Sequence, residues 1–383
     1  MNNYFIHTIE FKMKLEYEDY KDIKKELKFF HPGGYIGETY QVVCNQYKKN
    51  GILLEMHKCS GNEQMSQEGY KFKLIAIVNL SRFATQGSFI NAIEDKETFI
   101  KVVNELGDFL ENEFRKCDRR YYFNDFKLHR VDVAKDRRLP SEDCIRQFIM
   151  LMRRIPMASG YKVDKTIEDN TPGFDVANSY NIINKSRGIE FVLYNKSHGS
   201  RVEKYNNEEQ DYYANTLRME MKFMQKYITK NTKGMHIVIA LLYLYDTMAD
   251  SVKTIYQKMY HGGINGCFVR ENMHRYFVRT KNVGKEVRQE KMLRLMELCI
   301  AGRNFALNEI KKRGYIDSEK VYENVMKHYK EINLSPLTIS NRTTLFIQSP
   351  DSLLGFEKVT KQERDYCHSV MMYDSGEVCL IEE

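Results

Sequence analysis

Residues 129–136 read HRVDVAKD, residues 190–196 read EFVLYNK and residues 217–223 read LRMEMKF. Each segment alternates apolar and polar residues, which is typical of a β-strand with one face toward the core and the other toward solvent. The three segments therefore predict neighbouring strands of a sheet that has one polar face.

The polar positions of these strands hold a particular set of chemical groups. They are Arg130 and Asp132 in the first strand, Tyr194 and Lys196 in the second, and Arg218, Glu220 and Lys222 in the third. Any sheet with one solvated face alternates in this way, and each strand alone reads most simply as such a surface. Together, two acids, a tyrosine and a lysine fit metal-assisted cleavage of a phosphodiester. A cation held by the acids would offset charge on the phosphate, and the lysine would favour the phenolate.

Outside these segments, the first part of the chain predicts more strands than helices. Strands are expected at 4–15, 40–43, 51–57, 70–80, 124–134, 179–184, 188–195 and 217–224, and helices at 17–30, 96–116 and 141–154. From 235 to 332 the pattern becomes almost wholly helical. We therefore predict an α+β fold, a mainly antiparallel sheet covered by helices on one face, followed by a C-terminal helical domain. The expected divisions are a catalytic domain at 1–234, a helical DNA-binding or oligomerisation domain at 235–334 and a polar tail at 335–383.

Composition narrows the class of protein. The chain has 383 residues with a formal net charge of +7, a modest excess that permits a polyanionic partner without requiring one. No run of about 20 apolar residues could span a bilayer, and the first residues lack the pattern of a signal peptide. The eight cysteines form no CxxC, so they are expected to be reduced thiols of a cytoplasmic protein with no structural zinc site.

The order of the three motifs resembles that of the replication initiation factor family, the rolling-circle initiators and relaxases of small plasmids and integrative elements. That family shows an R-hydrophobic-D-hydrophobic-A-x-D strand, a hairpin ending in Y-N-K, and an R-hydrophobic-E strand. Here these are HRVDVAKD at 129–136, NSYNIINKSRGIEFVLYNK at 178–196 and LRMEMKF at 217–223. The resemblance covers a little over a quarter of the chain. It departs from many relatives after Y-N-K, where Ser197, His198 and Gly199 stand in place of an acid.

The resemblance implies a role for each polar residue. Tyr194 would be the nucleophile, Asp132 and Glu220 the ligands of Mg²⁺ or Mn²⁺, and Lys196, Arg130 and Arg218 phosphate or carboxylate partners. Asp136 is a weaker ligand candidate, because four residues along a straight strand span about 13 Å.

The implied protein is a rolling-circle replication initiator. It would nick one strand at a plasmid or phage origin, keep the 5′ end as a phosphotyrosine and leave a 3′-hydroxyl primer. Its expected partners are double- and single-stranded origin DNA, a host helicase and a host polymerase, with no membrane, and a second copy in a homodimer. A conjugative relaxase with the same chemistry and a non-enzymatic DNA-binding accessory protein are the alternatives.

Three other features have competing interpretations. His129 and His198 are candidate metal ligands, although neither belongs to an H-x-H pair, and each reads more simply as an ordinary polar histidine. Tyr212 and Tyr213 form a tyrosine pair that the preceding acidic NNEEQD places in a loop. The basic run at 274–291 predicts contact with DNA phosphates and bases, or else a solvated helix surface.

Overall fold

The structure is a computed structural model of the chain. It describes residues 4–30, 41–59, 72–93, 95–155, 157–165, 175–198 and 205–260. Beyond these ranges it describes 266–269, 334–339 and scattered helical positions between 291 and 328.

A nine-stranded antiparallel sheet organises the described residues. The strands are β1 (Phe5–Leu15), β2 (Gln41–Cys44), β3 (Ile52–Lys58), β4 (Phe72–Asn79), β5 (Lys127–Arg138), β6 (Lys162–Val163), β7 (Ser179–Asn184), β8 (Ile189–Asn195) and β9 (Thr216–Met224). Their order across the sheet is β2-β3-β4-β1-β5-β9-β8-β7-β6. The three motif strands, β5, β9 and β8, therefore lie side by side in its middle.

One face of the sheet is apolar and forms the core. Ile9 pairs with Val131, Val131 with Phe223, and Phe223 with Ile189 across four neighbouring strands. All four side chains are buried. The alternation in the sequence thus predicts correctly which side chains face inward.

Helices pack against this apolar face, apart from the helix at 207–213, whose Tyr213 lies against Arg218 on the opposite face. The helices are α1 (Tyr17–Glu26), α2 (Leu80–Ala84), α3 (Lys96–Phe114), α4 (Glu142–Met152), α5 (Asn207–Tyr213), α6 (Gln225–Thr232) and α7 (Ile237–Met259). Tyr20 of α1 stacks on Phe72 with ring centroids 4.0 Å apart, and Tyr256 of α7 contacts the ring of Phe191. The predicted α+β fold with helices on one face of an antiparallel sheet is confirmed.

Local capping explains where the two predicted long helices begin. The Asp95 carboxylate accepts a hydrogen bond from the backbone N–H of Thr98 at 2.7 Å, at the start of α3. Ser141 accepts one from the N–H of Cys144 at 3.3 Å, at the start of α4. These bonds satisfy amides that the first helical turn leaves without a partner.

Helix α5 corrects the predicted loop at Tyr212 and Tyr213. The Asn206 side chain accepts a hydrogen bond from the N–H of Glu209, whose carboxylate accepts one from the N–H of Asn206. This reciprocal capping box starts a helix. Its N-x-x-E signature lies inside NNEEQD, where the acidic composition suggested a loop.

The region after 234 contains more than the predicted helices. Helix α7 packs into the hydrophobic core beneath the sheet, since Tyr245 stacks on Phe99 of α3 at 4.6 Å. Two short strands, β10 (Gly266–Val269) and β11 (Leu334–Ile339), pair in parallel. The sequence predicts a break at 261–266 and a polar tail from 335, so neither strand was expected. The boundaries at 234 and 334 stay predictions.

Within the part of the chain that the structure describes, no single helix is long and apolar enough to cross a membrane. Helices α6 and α7 meet the length and composition criterion only together, across a 95° bend.

Candidate active site

The opposite face of the central strands is polar, and the pairing of the strands sets its layout. Asp132 of β5 lies opposite Lys222 of β9, which lies opposite Glu190 of β8. Four residues from Lys222 along β9, Arg218 lies between Asp136 and Tyr194. Acids, cations and the tyrosine therefore alternate across three strands on one surface.

The hydroxyl of Tyr194 donates a hydrogen bond to Oε1 of Glu220 at 2.7 Å. Glu220 is only 6% exposed, whereas Tyr194 is half-buried. The bond places a carboxylate acceptor directly on the phenolic proton.

Arg218 is fully buried directly opposite Tyr194. Its Nε and one terminal nitrogen donate to the two oxygens of Asp136 at 2.5 and 2.6 Å, a bidentate ion pair. Burial alone would lower the pKa of Arg218, but Asp136 and then Tyr194 raise it well above its ordinary value. The guanidinium is therefore a fixed positive charge close enough to act on Tyr194.

Asp132 is a buried acid whose negative charge is only partly offset by its neighbours. It is 4% exposed, and burial raises its pKa to about 7, an effect that Arg130 opposes and Glu220 reinforces. Nε of Arg130 lies 3.1 Å from Oδ1 of Asp132, but its N–H does not point at that oxygen. Both atoms are buried, and neither makes a hydrogen bond. A second nitrogen of Arg130 contacts Glu10 at 3.1 Å.

Asp132 and Glu220 fit a divalent ion by donor chemistry. Glu220 lies opposite Ala134 and not opposite Asp132, so the two acids are diagonal neighbours on adjacent strands. The Cα atoms of diagonal neighbours are about 7–8 Å apart, farther than those of residues directly opposite each other. Among the described residues no group of three or more histidine, cysteine or acidic side chains could hold a metal ion. Mg²⁺ is commonly bound by one or two carboxylates, with substrate phosphate and water completing its shell. The oxygen of Asp132 that lacks a hydrogen bond is suited to such a role.

The other predicted site residues have different surroundings. Both oxygens of Asp136 are taken by Arg218. Lys196 is 4% exposed, and its ammonium lies 4.3 Å from the ring centre of Tyr213 and 5.7 Å from that of Tyr205. It thus packs against aromatic rings next to the polar face.

The two candidate histidines have separate neighbours. His129 contacts Lys12 at 2.6 Å and Gln225 at 3.1 Å, and burial lowers its pKa. His198 follows β8, where its backbone N–H donates to the carbonyl of Asn195 at 3.4 Å. The basic run at 274–291 lies outside the described residues, apart from the helical position Lys291.

Sequence reasoning missed two acids of the polar face, Glu10 and Glu190. It named Lys222 and Tyr213 but predicted neither the pairing of Lys222 with Glu190 nor the position of Tyr213 against this face. Lys222 donates to Glu190 at 2.7 Å. Glu10 and Glu190 could have been found, because each alternates with apolar neighbours in its strand. The role of Tyr213 depends on a helix that returns to the sheet, and this is not visible in its local sequence.

Comparison with known proteins gives little further information about the candidate site. No protein-family model and no curated protein matches the chain. A solved structure of the rolling circle replication initiator protein from Geobacillus stearothermophilus is similar to 67% of this chain and 85% of that one. The sequence identity is 10% and the TM-score 0.33. A likeness this distant does not establish membership of a family.

Proposed function

We propose that the chain is a DNA strand-cleaving and strand-joining enzyme in which Tyr194 is the nucleophile. The observation that carries the proposal is the hydrogen bond from the Tyr194 hydroxyl to Glu220, made beside the buried Arg218 and on the same face as Asp132. A solvated sheet surface needs none of these buried charges, which cost free energy unless they are compensated.

The surroundings of Tyr194 address the weakness of a phenol as a nucleophile. An unperturbed phenol ionises near pH 10, so at neutral pH it needs both a proton acceptor and a nearby positive charge. Glu220 accepts the proton, and Arg218 stabilises the phenolate. Arg218 thus takes the role that the sequence assigned to Lys196.

The proposed cleavage exchanges one phosphodiester for another. The Tyr194 oxygen attacks the phosphorus, an O–P bond to the tyrosine forms, and the bond from phosphorus to the 3′-oxygen breaks. The phenolic proton passes to Glu220 and from there to solvent, and solvent protonates the departing 3′-oxygen to a hydroxyl, so that no net proton is gained or lost. The products are a 5′-phosphotyrosine and a free 3′-hydroxyl, and the reverse reaction rejoins a strand.

Asp132 and Glu220 would hold Mg²⁺ or Mn²⁺ at this face. A divalent ion there supplies positive charge that offsets the developing charge on the scissile phosphate. Glu220 has two carboxylate oxygens, so accepting the hydrogen bond of Tyr194 leaves the second oxygen for the ion.

The broader role we propose is initiation of rolling-circle replication at an origin, with the 3′-hydroxyl serving as a primer. Origin DNA, a host helicase and polymerase, and a second copy of the chain would be its partners. Conjugative transfer would use the same cleavage, whereas an accessory DNA-binding protein would make no covalent bond.

The test is transfer of a label from DNA to protein. We expect a 3′-labelled pool of single-stranded oligonucleotides to become covalently attached to the wild-type protein in Mg²⁺, because the fragment downstream of the cut stays on the tyrosine. EDTA should prevent attachment. Binding of the pool without any covalent product would identify an accessory protein and contradict the proposal.

A further inference from the structure

The ring of Tyr213 lies close to two buried cations, Lys196, which is two residues along the chain from the candidate nucleophile, and Arg218, which pairs with it across β8 and β9. Its centre is 4.3 Å from the ammonium of Lys196 and 5.5 Å from the guanidinium carbon of Arg218. Phe5 approaches the same guanidinium at 5.4 Å. Such contacts between a cation and an aromatic face are strongest where water is excluded, and Tyr213 is 1% exposed.

Helix α5 is anchored so that this ring stays in place. The carboxylate of Glu209, 3% exposed, accepts hydrogen bonds from the backbone N–H of Phe89 at 2.7 Å and the hydroxyl of Ser88 at 3.1 Å. The Tyr213 hydroxyl donates to the carbonyl of Phe89. Two bonds from one carboxylate and one from the ring thus tie α5 to the segment after α2.

Arg218 needs such support because its bidentate pair with Asp136 holds only one edge of the guanidinium, and Tyr213 adds a further polar contact to it. Asp136 binds two of its nitrogens, whereas the third, Nη1, is buried without a hydrogen bond and lies 4.0 Å from Oε1 of Glu220. A guanidinium held at one edge can tilt unless its flat faces are packed.

We propose that Tyr213 is a positioning residue: its ring holds Arg218 and Lys196 against the sheet beside Tyr194, and Glu209 anchors the ring. This inference rests on the proposed function, since it assigns the two cations to that site. In this role Tyr213, which is 1% exposed, acts through the two cations and not on the phosphate itself.

The experiment compares Tyr213→Phe, which keeps the ring and loses the hydroxyl, with Tyr213→Leu, which loses the ring. The exposed neighbour gives a matched control, Tyr212→Leu. We would measure the single-turnover rate of covalent attachment at saturating single-stranded DNA, and separately the Kd for DNA in a Tyr194→Phe background. The side-chain ¹⁵N–¹H signal of Arg218, identified with Arg218→Lys, reports its order without any need for activity.

We expect Tyr213→Leu to lower the rate about tenfold or more, the size of a desolvated cation–π contact, with little change in Kd. Tyr213→Phe should keep most of the rate, and Tyr212→Leu all of it. The Arg218 signal should exchange slowly with water in the wild type and in Tyr213→Phe, and rapidly in Tyr213→Leu.

Equal losses in Tyr213→Phe and Tyr213→Leu, or an unchanged rate in folded Tyr213→Leu, would overturn the inference. If Tyr213→Leu does not fold, Glu209→Gln weakens the anchor while keeping the ring, and it should reduce the rate and the protection of the Arg218 signal. A wild-type protein that forms no covalent product refutes the proposed function instead, and the Arg218 signal still tests the positioning.

Discussion

Replacing Asp136 by Asn removes the charge that pairs with Arg218 while nearly preserving the size of the side chain. Breaking a buried ion pair by removing one partner costs about 3–5 kcal/mol, because the remaining charge stays desolvated. The Arg218 side chain is 1% exposed and that of Asp136 is 22% exposed, so water can partly replace the lost carboxylate. We therefore expect a loss near the lower end, about 3 kcal/mol, or a fall in Tm of about 6–12 °C for a domain of this size.

Thermal and urea unfolding of the metal-free protein would measure this loss. Asp246→Asn is the matched control, because Asp246 pairs with Lys96 at 2.7 Å with both side chains about half exposed. Exposed pairs contribute about 0–1 kcal/mol. If Asp136→Asn cost no more than Asp246→Asn, the ion pair would not be what stabilises Arg218. If the cost appeared only when Mg²⁺ was present, Asp136 would be acting as a metal ligand.

Three further predictions concern charge and backbone. Burial lowers the pKa of Lys135 from 10.5 to about 8, so its charged form destabilises the fold at pH 7, and this penalty disappears as pH rises through 8 toward 10.5. Lys135→Met should therefore raise the free energy of unfolding at pH 7 but change it little at pH 10. Asp132→Asn and Glu220→Gln should each abolish cleavage in Mg²⁺. Because burial raises the pKa of Asp132 and so penalises its ionised form, Asp132→Asn should stabilise the metal-free protein by at most about 4 kcal/mol, more at pH 8 than at pH 5. Gly188→Ala should cost more in unfolding free energy than Gly234→Ala, since both have positive φ but only at Gly188 would the new Cβ meet another atom, 3.0 Å away.

Each of these has an outcome that contradicts it. A stability gain in Lys135→Met that is the same at pH 7 and pH 10 would mean that the lysine charge is not the cause. Cleavage by Asp132→Asn at the wild-type rate would remove that acid from the site. If Gly188→Ala and Gly234→Ala lowered the free energy of unfolding equally, the strain of positive φ alone would explain both losses, and the close contact at Gly188 would contribute nothing.

Strand parity made the polar face predictable. Arg130, Asp132, Tyr194, Arg218 and Glu220 share one face because side chains alternate with period two, a property of the local chain. The length and bounds of the main helices also followed from local apolar spacing and capping residues. These predictions succeeded because the contacts that determine them lie within one element, although the equally local capping box of α5 was missed.

The pairing of strands that are distant in the sequence determines which side chains of the polar face bond to each other, and local patterns do not show this pairing. Tyr194 bonds Glu220, and Asp136 bonds Arg218, because β9 lies between β5 and β8 in a fixed register. A shift of two residues would give each acid another partner while keeping every side chain on the same face. Tyr213 depends on a still longer connection, through Glu209 to Ser88 and Phe89.

The account depends most directly on Tyr194 as the residue that joins DNA. After reaction of the wild-type protein with single-stranded DNA in Mg²⁺, nuclease and protease digestion followed by mass spectrometry should yield a peptide with a nucleotide 5′-phosphate on Tyr194. Tyr194→Phe should form no such product while still binding DNA and unfolding at nearly the wild-type temperature. The nucleotide on a different residue, or undiminished covalent attachment in Tyr194→Phe, would contradict the account.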